Sequence, residues 1–159
     1  MNNSVVVDSN LLLLLIVGTA SREYIAKHKK LAEYSDSDLD LLTLLISQFS
    51  DILLVPHVLT EVSSFSRHIK NPARREVQAK LRRLIQTTTE IPIESIYGAE
   101  REEFEELGLT DAVRLHFCTL ERAGIRCTLL TADANLALRA ESLGYGCDLL
   151  WRPALLAVR

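Results

Sequence analysis

Asp8 in VVVDSN, Glu61 in VLTEVSSF, Asp111 in GLTDAVRL and Asp133 in LLTADANL are four carboxylates spread over the whole chain. Each follows an apolar, strand-like run or sits in the opening turns of a helix-like one. Carboxylates gathered in one cleft repel each other and raise each other's pKa, so such a group calls for a cation. Magnesium or manganese suits it, being hard, oxygen-seeking and commonly held by a few carboxylates plus water and phosphate oxygens. An ion held there lowers the pKa of a bound water and offsets the charge that builds on a phosphate under attack, which leaves a 5'-phosphate and a 3'-hydroxyl. Because repulsion would be relieved, neutralising Asp8 is expected to leave the metal-free fold at least as stable.

Other chemistries have less support. His28, His57, His68 and His116 show no HExxH spacing, no Ser or Cys stands in a recognisable nucleophile motif, and the six glycines are dispersed instead of forming a phosphate loop. Cys118, Cys127 and Cys147 have no zinc-like spacing and lie in apolar patterns, as reduced core residues of a cytoplasmic protein do.

The elements that must position the carboxylates follow from periodicity. Ser4 to Asp8 reads as a buried strand, with Ser9 or Asn10 capping an apolar helix that runs to Val17. A basic amphipathic stretch from Arg22 to Tyr34 precedes a helix capped by Ser37. Asp51 to Val55 reads as a second strand, followed by a helix from His57 to Arg67 carrying Glu61 and another opened by Asn71 and Pro72. Glu90 to Ile93 is a short edge strand or a connector, since Pro92 cannot donate to a ladder. An acidic helix is expected over Ala99 to Leu107, solvated and distant from any substrate. A helix capped by Thr110 is expected over Asp111 to Arg122, then a strand over Cys127 to Leu130, a helix from Ala134 to Leu143 and a last strand over Cys147 to Trp151.

Alternation of strand and helix over all 159 residues indicates one domain, an α/β/α three-layer sandwich with a mainly parallel central sheet. Asp8 and Asp133 then lie at the same sheet edge, where open parallel sheets bind ligands, and Glu61 and Asp111 can lean over it. The run from Leu11 to Val17 is too short to span a bilayer, and no basic residue precedes it as in a signal peptide, so no membrane association is expected.

With these residues in this order, the chain resembles the PIN-domain family, which contains the ribonuclease toxins of toxin-antitoxin pairs. The resemblance runs from VVVDSN through LTE and GLTDA to LLTADANL. It implies a PIN-like fold and a magnesium- or manganese-dependent endoribonuclease in which Asp8, Glu61, Asp111 and Asp133 bind the metal. Asn10 and Thr131 are similar to supporting polar positions of the family. It also implies an RNA substrate, a small antitoxin as partner and a homodimer. The segment from Arg22 to Asp38 is longer than the compact opening of small toxins.

The net charge of -3 does not mark a dedicated duplex binder, so any nucleic-acid contact must be local. From Arg67 to Arg83 there are seven Lys or Arg residues against the single acid Glu76, and Arg22, Lys27, Lys29 and Lys30 form a second cluster. Arg67, Lys70, Arg74 and Arg75 are the candidate phosphate contacts leading to the carboxylates. Two rivals stand beside the nuclease. One is a non-catalytic PIN-like scaffold binding RNA or protein. The other is a haloacid-dehalogenase-type phosphatase, disfavoured because its second Asp would fall where Asn10 stands.

Overall fold

The computed structural model describes residues 3–119 and 126–149. Its centre is a parallel five-stranded sheet of β1 (Asn3–Val7), β2 (Asp51–Leu54), β3 (Thr89–Glu90), β4 (Arg126–Thr131) and β5 (Cys147–Leu149), in the order β3-β2-β1-β4-β5. The strand order runs outward from β1 in one direction and then restarts at β4 in the other. Between β1 and β4 lies the point where the winding reverses, and open sheets leave a crevice beyond the strand ends there. The β-branched run Val5–Val7 is wholly buried, as expected for a central strand covered on both faces.

Helix α1 (Ser9–Ala20) follows β1 directly. Leu11 to Leu14, Ile16 and Val17 are buried around its whole circumference, so it is an interior helix and not an amphipathic one. Four helices pack around it: α2 (Glu23–Lys27), α3 (Asp36–Ile46), α4 (Pro56–Phe65) and α5 (Ala73–Thr87). A single 3-10 turn, Lys29–Leu31, separates α2 from α3, so the basic stretch expected from Arg22 to Tyr34 is two short pieces joined at His28. Ser35 caps α3 in a capping box with Asp38, two residues before the expected Ser37.

Beyond the sheet come α6 (Ser95–Ala99), α7 (Phe104–Leu107), α8 (Leu109–Thr119) and α9 (Ala134–Ser142). Of the acidic helix expected over Ala99 to Leu107, only Ala99, at the end of α6, and Phe104–Leu107, which is α7, are helical. Gly98 lies so close to α8 that a Cβ there would come within 2.6 Å of Val113 Cγ2, which permits α6 to lie directly on α8. Gly108, at φ 81°, makes the sharp turn into α8 that a side chain would oppose. Helix α8 therefore begins at Leu109, with Thr110 inside its first turn instead of at its cap. The expected ends of this helix, at Arg122, and of the last strand, at Trp151, lie outside the described residues. Cys118 and Cys127 are buried as expected. No helix among the described residues is long and apolar enough to cross a membrane.

Glu103 departs from the expected solvated face. It is 5% exposed and accepts from Arg101 at 3.0 Å and from Arg139 at 3.1 Å, linking the start of α7 to α9. Burial pushes its carboxyl up, but the two guanidiniums outweigh that and hold it below its ordinary value. Replacing Glu103 by Ala leaves two cations around an emptied anion site. The expected cost is about 3 kcal/mol in urea unfolding, since removing one partner of a buried pair exposes the other's desolvation. A cost within error of zero would show that the pair does not hold α7 in place.

Candidate functional site

The end of β1 and the end of β4 meet at Asp8. With Val7 opposite Leu130, and Asp8 N–H donating to the Leu130 carbonyl at 2.9 Å, Thr131 falls beside Asp8. Asp8 is 5% exposed and its carboxylate is held on both oxygens: Oδ1 accepts from Leu11 N–H at 2.8 Å, and Oδ2 accepts from Thr131 Oγ1 at 2.5 Å and Ala132 N–H at 2.9 Å. Asp8 is thus itself the N-cap of α1, the place expected for Ser9 or Asn10. Thr131 also accepts from Asp133 N–H at 3.0 Å, and Asp133 Oδ1 caps α9 through Asn135 and Leu136.

Glu61 is brought in by α4. Val58, Leu59 and Val62 are the helix's buried residues, which leaves Glu61 and Phe65, one turn apart, on the side facing Asp8. Its carboxylate accepts from Ser9 Oγ at 2.6 Å and from Thr110 Oγ1 at 2.8 Å. Glu61 therefore bridges the first turn of α1 and the first turn of α8. Asp111 follows Thr110 on α8 and is ion-paired with Arg114, one turn on.

All four carboxylates line a single cleft of about 340 Å³, together with Ser9, Asn10, Lys30, Phe65, Thr110 and Arg114. Thr131 supports it from beneath through Asp8. Lys30 holds the rim, its Nζ 4.2 Å from the centre of the Phe65 ring. Behind it, His28 is buried, with Nε2 2.9 Å from the Phe65 carbonyl and Nδ1 accepting from Lys30 N–H at 3.2 Å. This is the neutral tautomer protonated at Nε2, and burial lowers the pKa below 6.5 despite the bond to Phe65.

The expected phosphate contacts lie elsewhere. Arg67, Lys70, Arg74 and Arg75 do not line the cleft. Arg74 is tied back to the Ile69 carbonyl at 2.9 Å. Lys70 instead lines a second cavity of about 520 Å³ with Lys27, Lys29 and His68, so the two basic clusters separated in sequence meet there. His68 lies 6.3 Å from the Phe65 ring centre and stacks with His28, which joins this cavity to the rim of the carboxylate cleft.

Arg114 was not singled out by sequence, although an arginine within the apolar stretch AVRLHF of a helix, three residues after Asp111, was the available signal. It is 5% exposed, and its Nε and Nη1 have no hydrogen-bond partner among the described residues. Burial pulls its pKa down, against the fields of Asp8, Glu61 and Asp133, which push it up.

The donor set fits a hard divalent cation in kind, since four carboxylate residues line the same polar cleft. Among the described residues, no group of three or more His, Cys, Asp and Glu side chains is already gathered closely enough to hold one. The commitments just described explain this: Asp111 is drawn to Arg114, and Asp8 and Asp133 are drawn to backbone donors.

These bonds reverse the expectation for Asp8. In Asp8→Asn an amide NH2 must face either Leu11 N–H or the donors at Thr131 and Ala132, so the variant should lose about 1–3 kcal/mol of metal-free stability in chemical unfolding. A gain would mean that repulsion among the carboxylates dominates. His28 makes a second prediction. Its folded pKa lies below 6.5, so the unfolded chain takes up the extra proton, and stability should fall as pH drops through about 6.5 until the folded pKa is passed. The melting temperature between pH 7.5 and 5 should show this, and His28→Gln should flatten the slope to the part left by His116, whose pKa burial also lowers. An unchanged slope assigns the effect to other groups.

No protein-family model and no curated protein matches the chain, so the cleft itself is what any functional reading must start from.

Proposed function

We propose that the protein is a PIN-like, magnesium- or manganese-dependent endoribonuclease that hydrolyses phosphodiester bonds of RNA in the carboxylate cleft. The observation that carries this is the convergence of Asp8, Glu61, Asp111 and Asp133 on one cleft at the point where the sheet winding reverses. Asp8, Glu61, Asp111 and Asp133 would hold the ion. When bound, a magnesium or manganese ion lowers the pKa of an attacking water and offsets negative charge on the phosphate.

The chain's own residues supply the rest. Ser9 and Thr110 orient Glu61, while Thr131 and the Leu11 amide orient Asp8, so both carboxylates are held before any ligand arrives. Lys30 offers a positive charge at the rim, and the Phe65 ring beside it offers an apolar face to a base. The cavity of Lys27, Lys29, His68 and Lys70 supports a path for the backbone leading away from the rim.

A second reading has its own observation. The Asp111–Arg114 ion pair, and the lack of a ready-made cation group among the described residues, favour a scaffold that binds RNA without cutting it.

Glu61→Gln separates the readings, because its partners are hydroxyls that can turn to suit an amide and the fold should survive. Purified protein and an RNA pool, with manganese or with chelator, should give manganese-dependent cleavage leaving 5'-phosphate ends. Glu61→Gln should lower the rate at least about a hundredfold. Lys30→Glu should weaken RNA binding with a smaller effect on the rate at saturation. Cleavage that persists in chelator removes the metal mechanism, and RNA binding with no cleavage under any ion supports the scaffold.

A further inference from the structure

Among the described residues, the Arg114 guanidinium is the one charged group lining the cleft that the proposed reaction does not use. A guanidinium carries five N–H donors in a planar fork, and a buried arginine that serves only to hold a fold normally has them satisfied. Here the pairing to Asp111 engages Nη2, and Nε and Nη1 are buried without a partner among the described residues. No local hydrogen-bond network accounts for its position. What does is the field of the carboxylates around it, with Asp111 in contact and Asp8, Glu61 and Asp133 acting at longer range. In a cleft built from four acids, this guanidinium stands where a cation is needed.

We infer that Arg114 is the resident counter-ion of the cleft: it holds Asp111 in the metal-free protein and must release it for a divalent cation to bind. This rests on the metal-site reading above. Arg114 is a positioning residue in this account, and its effect on the reaction passes through Asp111. Both partners of the exchange line the cleft. Asp111 and Arg114 are one turn apart on α8, so the pair can open by rotation of two side chains. The two unpartnered nitrogens then gain water, or a phosphate oxygen, that the closed arrangement denies them.

The arrangement has a definite electrostatic consequence. A fixed positive charge against Asp111 opposes a second cation and occupies one of its oxygens. It also relieves repulsion among the acids in the metal-free state, which lowers what a metal can gain by binding. Arg114 thereby weakens cation affinity and supports the empty protein.

The test is titration of manganese and magnesium into the wild type, Arg114→Met and Arg114→Lys, with melting curves in chelator and in saturating ion. Arg114→Met keeps an apolar stem and removes the charge. It should bind the ions at least about tenfold more tightly than the wild type. It should melt lower in chelator and show a larger rise in melting temperature on adding metal. Arg114→Lys, which keeps the charge, should stay near the wild type in affinity. Should Arg114→Met fail to fold without metal, the wild type still decides. The Arg114 Nε–H resonance in protein labelled with 15N-arginine should shift, and its proton should exchange faster, when magnesium is added.

Unchanged metal affinity in Arg114→Met, or an Arg114 Nε–H signal insensitive to bound magnesium, overturns the inference and leaves the metal site standing. Weaker metal binding in Arg114→Met also overturns it. Failure of the wild type and of every variant to bind either ion overturns the metal-site reading together with this one. Binding by Arg114→Met alone would be its strongest support.

Discussion

The bonds of the Asp8 carboxylate hold together the part of the molecule on which everything else depends. One side chain ends β1, caps α1 and ties down the chain leaving β4, through the Leu11 amide, the Thr131 hydroxyl and the Ala132 amide. The leading N–H groups of a helix have no partner within it, and Asp8, itself buried, supplies an acceptor to that of Leu11. Supplying it with a carboxylate places a negative charge at the helix N-terminus, where the backbone dipoles favour it. The same residue is therefore a structural cap and the deepest acid of the cleft. Its loss therefore costs stability, whatever the cleft does.

The remaining acids are placed by elements that have independent reasons to be where they are. Helix α4 must bury Val58, Leu59 and Val62, and that rotation turns Glu61 and Phe65 inward to the cleft. Helix α8 starts where Gly108 lets the chain turn sharply, and this sets Thr110 against Glu61 and Asp111 at the cleft wall. Glu103, clamped by Arg101 and Arg139, fixes the short helix before that turn. Packing thus concentrates negative charge in one place, and the guanidinium of Arg114 moderates it. Since a like-charged cluster destabilises the empty protein, some positive partner was to be expected from electrostatics alone.

Much of this was legible in the sequence. The alternation of β-branched strands with helical runs showed the layered α/β fold, and Asp8 and Asp133 at strand ends necessarily share an edge of a parallel sheet. What was not legible depends on contacts between distant segments. Helix capping by Asp8 looks the same in sequence as capping by Ser9 or Asn10, and only the approach of Thr131 and Ala132 decides the matter. The segment from Ala99 to Leu107 reads as one acidic helix, because nothing local announces that Glu103 will meet Arg139 from α9. The basic clusters could be counted but not aimed. Their meeting at Lys27, Lys29 and Lys70 and the seating of Lys30 over Phe65 follow from how α2 and the 3-10 turn dock beside α4.

The four carboxylates also differ in how far the fold relies on them. Asp8 accepts from backbone amides on both oxygens, so an amide substitution there meets a donor that cannot turn away, whereas Asp133 caps α9 through Oδ1 alone, a role an asparagine also fills. Glu61 accepts from two hydroxyls, each of which can rotate to become the acceptor. Asp111 is held by a guanidinium that the rest of the cleft also attracts. Stability therefore constrains Asp8 most strongly and the other three less. If the cleft had only a structural purpose, acids at Glu61 and Asp111 would be a burden, since each adds repulsion and neither caps a helix. The proposed ion binding would give both a purpose, at the crevice where the sheet winding reverses.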